Sequence, residues 1–441
     1  MIEKIIDIAK TQLKGYDWEI YYQKVSKLKA ESNDFQLESI TTSDDIEFSI
    51  RVLNNKAQGF AYSSSFTEEA IKDTINKAKE LSKITSPDDG NIIIDKLQET
   101  EKIEYFDTFT ASLPPLDKAI NAIELERITK SLDDRIKKVR SSTFIENIYE
   151  TYLINSNNVE IKEKGTIYTA MVSAVAEENG DSQIVWQYKA TRFLQDLDLN
   201  KLAKDAVYHA VSLLNAKPLT TRKIAVYFPP FAFAELLDTF SSAFTADALI
   251  KGKTLFANKE NTIVASDVVN IIDNGRLPKG LATSSYDAEG IPKGKTVLIQ
   301  NGIFKGFLHN LYTAKKLNTK STGNAVRNGV KSLPSVGITN FYLEPTDTDI
   351  KEMMKNYDEI LYVIDMMGLH TADPISGEFS LGISGILFSK GEKVQAVSGM
   401  TIADNFINLL NKISYVGNDL EFYGNVGSPS VIVEEMVVAG E

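Results

Sequence analysis

Residues 158–190 have the sequence NVEIKEKGTIYTAMVSAVAEENGDSQIVWQYKA, which contains three predicted strands. These strands cover 158–164, 167–178 and 182–190, and the turn sequence Glu178-Asn179-Gly180-Asp181 separates the last two. Short strands that follow one another with turns between them pair as antiparallel neighbours. The segment therefore predicts an antiparallel meander.

Helices flank this meander. A helix at about 116–132 precedes two further strands, at 137–144 and 147–155, and another helix covers about 198–214. Helix, meander and helix therefore follow one another in this part of the chain.

The same order occurs earlier in the chain. A helix at 2–14 is followed by strands between Trp18 and Tyr62. Ser65-Phe66-Thr67-Glu68 then has the spacing of a capping box and predicts a helix that ends near Ile84. The repeated order suggests a duplicated unit, although the two copies are too dissimilar in sequence to establish a repeat.

The segment Lys217–Thr221 is the predicted domain boundary. It divides the chain into an N-terminal domain, 1–218, and a C-terminal domain, 219–441. The second domain is predicted to be rich in strands, with a hairpin at Asn301-Gly302. It also has predicted helices at 231–246 and 401–413 and a final strand at Ser430–Val438. The predicted fold class is α+β with two domains, the first having helices packed on an antiparallel sheet.

The composition excludes several classes of protein. The 441 residues have a formal net charge of −12, which disfavours binding to nucleic acid or to an anionic membrane surface. No stretch approaches the ~18 apolar residues of a membrane span. The chain contains no cysteine, which excludes disulfides and thiolate chemistry and fits a cytoplasmic protein.

The three histidines do not have the spacing of a zinc site. They are His209, His309 and His370, and no two lie one helical turn apart. A catalytic zinc ion needs three protein ligands, commonly with two on one short element. His209 lies on a predicted apolar helix face and is interpreted as a core residue. Glu235 and Asp238 share one helical face, which is interpreted as an exposed acidic surface.

Several motifs in the C-terminal half resemble those of the TldD/PmbA family, which also has the older label "modulator of DNA gyrase". Each motif is weak alone, and their order across about 150 residues makes the resemblance specific. They are Asp287-Ala288-Glu289-Gly290, Asn301–Leu308, Tyr312–Leu317, Ser321–Arg327, Ser376–Ser380 with Gly385, Thr401–Asn405 and Val416–Asp419.

The resemblance implies a metallopeptidase-related fold with two branches. The TldD-like branch has a His-Glu-x-x-x-His motif on the first helix of its C-terminal half, which suits a zinc peptidase. In this sequence Asp238 and Ala243 stand at the two histidine positions and Thr239 at the glutamate position. The chain therefore resembles the PmbA or TldE-like branch, with no catalytic residue or metal of its own. Zinc is expected on a TldD-like partner.

The resemblance also implies a cleft that binds an extended peptide. Gly323, Asn324 and Arg327 are candidate residues for this cleft. His309 and His370 are further candidates, although a satisfied loop histidine is the simpler interpretation of each. A structural turn at 321–324 is an equal alternative. Asp287, Glu289 and Gly290 are interpreted as a loop anchor.

Three functions fit these observations. The leading hypothesis is a non-catalytic subunit that pairs with a TldD-like metallopeptidase subunit and acts on peptides. The alternative is a peptide-binding homodimer with no enzymatic role. A third hypothesis is an autonomous hydrolase that uses Glu235, Asp238 and a histidine from elsewhere.

Overall fold

The N-terminal half of the computed structural model forms one six-stranded antiparallel sheet, and the structure describes residues 1–440. The strand order is β3-β2-β1-β4-β5-β6. The elements are α1 (Ile2–Gln12), β1 (Asp17–Asn33), β2 (Gln36–Asn54), β3 (Ala57–Ser63), α2 (Glu68–Ile84), α3 (Thr108–Ala111), α4 (Pro115–Ser131), β4 (Ile136–Asn155), β5 (Glu160–Glu178), β6 (Asp181–Thr191), a 3-10 helix (Leu194–Asp196) and α5 (Leu199–Ser212).

The strands of this sheet are longer than the sequence predicts. The predicted strands at 137–144 and 147–155 are one strand, β4, and those at 158–164 and 167–178 are one strand, β5. The polar residues near Glu146 do not form a turn, because β4 pairs there with β1 on one side and with β5 on the other. Both neighbours satisfy the backbone of β4, so the ladder continues through this segment.

All the long helices of this half pack on the same face of the sheet. On β1, Trp18 and Ile20 belong to the hydrophobic cluster that contains α1 and α2, whereas Leu28 and Ala30 belong to the cluster that contains α4 and α5. These residues all have even numbers and therefore face the same way, since side chains alternate along a strand. The two helix-and-meander units are thus joined in a single sheet, and the odd-numbered residues of β1 face the C-terminal half.

The C-terminal half contains two six-stranded sheets and a two-stranded one. Their orders are β16-β15-β14-β7-β20-β17, β10-β9-β8-β13-β19-β18 and β11-β12. The elements are β7 (Arg222–Phe228), α6 (Pro230–Phe240), a 3-10 helix (Ser241–Phe244), α7 (Ala246–Ile250), β8 (Ile271–Asn274), β9 (Lys295–Gln300), β10 (Ile303–Phe304), α8 (Leu311–Lys316), β11 (Ala325–Val326), β12 (Ser335–Val336), β13 (Phe341–Leu343), α9 (Ile350–Met354), β14 (Ile360–Met367), a 3-10 helix (Leu369–Thr371), β15 (Glu378–Ser389), β16 (Glu392–Asn405), α10 (Phe406–Asn411), β17 (Ile413–Val416), β18 (Glu421–Tyr423), β19 (Val426–Ser428) and β20 (Val431–Ala439).

The largest hydrophobic core lies in this half, where α6 and α10 pack between the sheets. The α+β class is therefore confirmed, and so is the hairpin at Asn301-Gly302, which joins β9 to β10. No helix within residues 1–440 has the length and apolar character needed to cross a bilayer.

Three predicted helix boundaries are wrong. Thr67, rather than Ser65, caps α2 through its hydroxyl. The helix predicted at 231–246 is α-helical only as far as Phe240, and a 3-10 helix follows it. The helix predicted at 401–413 begins only at Phe406, because the residues before it continue β16 and the Asn405 side chain accepts a hydrogen bond from the N–H of Ile407.

Candidate functional site

Helix α6 carries two carboxylates on the face that it does not bury. Its first residue is Pro230, a position where the missing N–H of proline costs no helical hydrogen bond. The residues that it buries in the core are Ala232, Phe233, Ala234, Leu236, Leu237 and Phe240. Glu235 and Asp238 lie one turn apart on the opposite face and stay accessible.

A cavity of about 490 Å³ adjoins this face of α6. It lies between strand β6 of the N-terminal sheet and strand β14 of the C-terminal half. Glu235 and Asp365 provide its charged groups, and no lysine, arginine or histidine lies among its lining residues in the described chain. Its aromatic side chains are Trp186, Tyr188, Phe231 and Tyr423.

The apolar wall and the clustered charges perturb these carboxylates. Glu235 keeps an accessible surface, but desolvation by the neighbouring cavity wall, followed by the negative charges of Asp365 and Asp238, raises its pKa to about 7. Burial also raises the pKa of Asp238 and of Asp365. Because a nearby positive charge favours the ionised form of a carboxylate, a cation in this cavity would relieve the perturbation.

The donors on α6 do not fit a zinc ion. Asp238 is accessible, whereas the Thr239 hydroxyl donates a hydrogen bond to the carbonyl of Glu235 at 2.8 Å. Ala243 is fully buried in the 3-10 helix after α6 and offers no ligand. Within residues 1–440 no group of three or more His, Cys, Asp or Glu side chains could hold a metal ion. Zinc sites need three or four such donors, mostly nitrogen or sulfur.

The three histidines lie in separate places. His209 is buried on α5 as predicted, and its Nδ1 is 2.9 Å from the side-chain amide of Gln187. Burial lowers the pKa of His209 to about 4. His309 precedes α8, where burial lowers its pKa, and its N–H donates to the Thr322 hydroxyl at 2.8 Å. His370 is exposed in the 3-10 helix after β14.

The loop before β11 anchors the surrounding chain. The buried amide of Asn324 donates to the buried carboxylate of Asp273 at 2.7 Å. Gly323 has φ +75°, and a Cβ there would lie 2.6 Å from the carbonyl oxygen of Pro292. Only glycine tolerates both the left-handed backbone and this close approach. These contacts support the structural interpretation of the turn.

Arg327 joins the two halves of the chain. Its guanidinium pairs with the carboxylate of Glu19 on β1, and both side chains are nearly inaccessible, at 1% and 2% exposure. The guanidinium also lies over the ring of Tyr21, 4.8 Å from the ring centroid. Glu19, an odd-numbered residue of β1, therefore pairs with the motif at 321–327.

The motif at 287–290 is a loop anchor, as predicted. The Asp287 carboxylate accepts hydrogen bonds from the N–H groups of Glu289 and Ile291, at 2.9 Å each. Glu289 is buried and faces Arg51 of β2 across 4.0 Å. Burial and the charge of Asp287 raise the pKa of Glu289 to about 8.

Four of the five predicted cleft residues therefore lie in one region. The backbone of His309 accepts hydrogen bonds from the 321–324 loop, which leads directly to Arg327. His370 lies in another segment, the 3-10 helix that follows β14, and makes no hydrogen bond to these four within residues 1–440. Their role in peptide binding stays a prediction. Trp186, Tyr188 and Asp365, which line the acidic cavity, were not predicted, and no spacing in the sequence links β6, α6 and β14.

The fold and this site together define a mixed α+β protein with an acidic, aromatic-lined cavity between its two halves. Residues 221–440 match the PmbA/TldA metallopeptidase C-terminal domain, residues 18–82 match domain 1, and residues 94–214 match the central domain. The chain belongs to the PmbA/TldD family.

Known relatives cover the whole chain. The metalloprotease PmbA of Escherichia coli O157:H7 is 26% identical over 96% of this chain and 92% of its own length. The crystal structure of TldE from Thermococcus kodakarensis superimposes with a TM-score of 0.90 at 22% identity, covering 99% of this chain and 100% of the other. A Thermotoga maritima structure, whose name refers to a modulator of a DNA gyrase, has a TM-score of 0.91 at 24% identity and covers both chains fully. The two structures show that the fold is shared.

Proposed function

We propose that this chain is a TldE-like, non-catalytic subunit of a cytoplasmic metallopeptidase complex that acts on peptides. The observation that carries the proposal is the donor set of α6. By its resemblance to the family, this segment corresponds to the zinc motif of the TldD-like branch, but it offers Asp238 and Thr239 on the helix and a buried Ala243 in the 3-10 helix that follows. A zinc peptidase needs imidazole ligands and a carboxylate base at such a site.

The region around α6 also supports contact with a peptide. Strand β6 is the last strand of the N-terminal sheet, and its unpaired edge lies beside the acidic cavity. An extended peptide can add to such an edge through main-chain hydrogen bonds. Trp186 on β6 is 55% exposed, which suits an apolar contact with a peptide or with a partner subunit.

The partner in this proposal is a protein and not a nucleic acid. The net charge of −12 and the carboxylates of the cavity repel phosphate groups. A TldD-like chain would supply the zinc ion, the imidazole ligands and the general base. This chain would then contribute the wall of a shared peptide chamber.

Co-expression with a TldD-like chain from the same genome tests the proposal. We expect the two chains to co-purify and to hydrolyse unfolded peptides in a chelator-sensitive reaction, whereas this chain alone is inactive. A variant of the partner that lacks its first motif histidine is the matched control and should form an inactive complex.

Two results would contradict the proposal. Chelator-sensitive hydrolysis by this chain alone would show that it is an autonomous enzyme. Failure to associate with the TldD-like chain, together with a symmetric dimer of this chain in solution, would favour the peptide-binding homodimer.

A further inference from the structure

A second cavity, of about 270 Å³, lies between the two halves of the chain. The helix-free face of the N-terminal sheet forms one wall, through odd-numbered residues such as Tyr21 of β1, Tyr149 of β4 and Glu163 of β5. Loops of the C-terminal half, including the segment around Lys293, form the opposite wall. This cavity is separate from the acidic cavity beside α6.

Most charged groups in this wall already have protein hydrogen-bond partners. The Arg192 guanidinium donates to the Tyr149 hydroxyl at 2.6 Å and to four backbone carbonyls. The Asp287 carboxylate accepts from three backbone N–H groups. Arg327 is paired with Glu19. These groups already have protein partners, and their contacts hold the two walls of the cavity in place.

Lys293 is different, because its ammonium group is incompletely satisfied. It donates one hydrogen bond, to the carbonyl of Ala282 at 2.9 Å, and has no other hydrogen-bond acceptor in the described chain. An ammonium group carries three donors, so two remain available. Burial lowers the pKa of Lys293, although the carboxylates of Glu163, Asp287 and Asp273 oppose this effect. An anionic group placed next to Lys293 would offset the cost of burying its charge.

Two further groups near Lys293 also keep free capacity. The Glu163 carboxylate accepts from the N–H groups of Ser285 and Tyr286, at 3.1 and 3.2 Å, through Oε1. A carboxylate has about four acceptor positions, so Glu163 can accept from a ligand as well. The Tyr21 hydroxyl makes no hydrogen bond within residues 1–440, and burial raises its pKa to about 12, which keeps it a donor.

These three groups surround one space. The backbone N–H of Lys293 donates to the carbonyl of Ser285, whose own N–H donates to the Glu163 carboxylate. Tyr21 reaches the same wall through the sheet, because it pairs with Leu153, which pairs with Ile161, two residues before Glu163 on β5. Leu153 and Ile161 add an apolar patch to the same wall. The cavity therefore offers a ligand two hydrogen-bond donors, the Lys293 ammonium group and the Tyr21 hydroxyl, and one acceptor, the Glu163 carboxylate. An apolar surface lies beside them.

We propose that this cavity binds a free α-amino acid with a small apolar side chain, held as its zwitterion. Its carboxylate would accept from Lys293 and Tyr21, and its ammonium group would donate to Glu163. The side chain would contact Leu153 and Ile161. Cavities that hold drug-sized ligands range from about 300 to 1,000 Å³, so a smaller cavity suits a ligand as small as one amino acid. The site lies within one chain and does not depend on the proposed peptidase partner.

Calorimetric titration of the full chain with L-leucine, N-acetyl-L-leucine and L-leucinamide tests this site. The acetylated probe lacks the ammonium group and the amide probe lacks the carboxylate. We expect leucine to bind and each blocked probe to bind at least ~10-fold more weakly, because each loses a charge-assisted hydrogen bond. Binding of all three probes with equal affinity, or no heat from leucine, would overturn the proposal.

Variants of the cavity wall provide the second arm. Lys293→Met should weaken leucine binding by ~10-fold or more, whereas Lys295→Met is the matched control. Lys295 lies two residues further on, in an exposed ion pair with Glu344, and should leave binding unchanged. Wild-type affinity in Lys293→Met would contradict the assignment.

Tyr21→Phe keeps the test decisive if Lys293→Met does not fold. It removes only a hydroxyl that has no partner in the protein, so its folding should be preserved. We expect leucine to bind several-fold more weakly to this variant at an unchanged thermal midpoint. Unchanged binding would overturn the proposed carboxylate contact.

Discussion

Replacing Arg327 by methionine leaves the buried Glu19 carboxylate without its partner. The two side chains are 1% and 2% exposed and connect the motif at 321–327 to strand β1. Removing one member of such a pair typically costs ~3–5 kcal/mol, since the remaining charge stays buried and uncompensated. We therefore expect Arg327→Met to lower the free energy of unfolding by about 4 kcal/mol. Methionine retains much of the side-chain volume, so the loss reports mainly on charge.

Urea denaturation followed by tryptophan fluorescence measures this loss. Trp18 lies on β1 next to Glu19, and the other tryptophan, Trp186, lies on β6 of the same sheet, so the signal reports on the sheet that contains the affected strand. Lys331→Met is the matched control, because Lys331 pairs with Glu47 at 3.4 Å in an exposed position, and such pairs contribute about 0–1 kcal/mol. A double variant, Glu19→Gln with Arg327→Met, should recover about 1–2 kcal/mol, because no buried charge remains. A loss in Arg327→Met no larger than that of Lys331→Met would refute this reasoning.

Two further perturbations follow from the site. Gly323→Ala should destabilise the protein by at least about 1 kcal/mol in thermal unfolding, because alanine is strained at a φ of +75° and its Cβ would lie too close to the Pro292 carbonyl. Gly294→Ala is the control and should be neutral, since a Cβ at Gly294 has open space around it. Equal thermal midpoints for the two variants would contradict the close contact at Gly323. The pKa of Glu235 is about 7 in the folded chain and 4.5 for the free group. Between these pH values the folded state holds a proton that the unfolded state has lost, so the free energy of unfolding falls as pH rises through this window. Glu235→Gln should remove this pH dependence and raise the free energy of unfolding at pH 8 by about 1 kcal/mol, after a discount for solvent screening. The same pH profile of unfolding free energy in the wild type and in Glu235→Gln would exclude the perturbed carboxylate.

The elements with a strong local pattern could be predicted from the sequence. The spacing of Ile71, Ile75 and Ala78 predicts α2, and Asn301-Gly302 predicts a hairpin that the structure contains. The long strands β4 and β5 could not be predicted, since their continuity depends on pairing with distant neighbours and not on local residues.

The sites show the same division between local and distant information. The absence of imidazoles on α6 is visible in the sequence, because the motif lies within six residues. The acidic cavity depends on β6, α6 and β14, and Lys293 acquires its surroundings from β5 of the N-terminal sheet and from loops of its own half. Such convergence is a property of the tertiary fold, and the residues involved have no common spacing.

Zinc content measured by elemental analysis tests the central claim most directly. This chain, purified alone and dialysed against buffer that contains micromolar zinc, should retain far less than one zinc ion per molecule. The complex with a TldD-like chain should retain one, and it should lose that ion when the partner's motif histidines are replaced. One tightly held zinc ion on this chain alone, removed only by a chelator, would contradict the account.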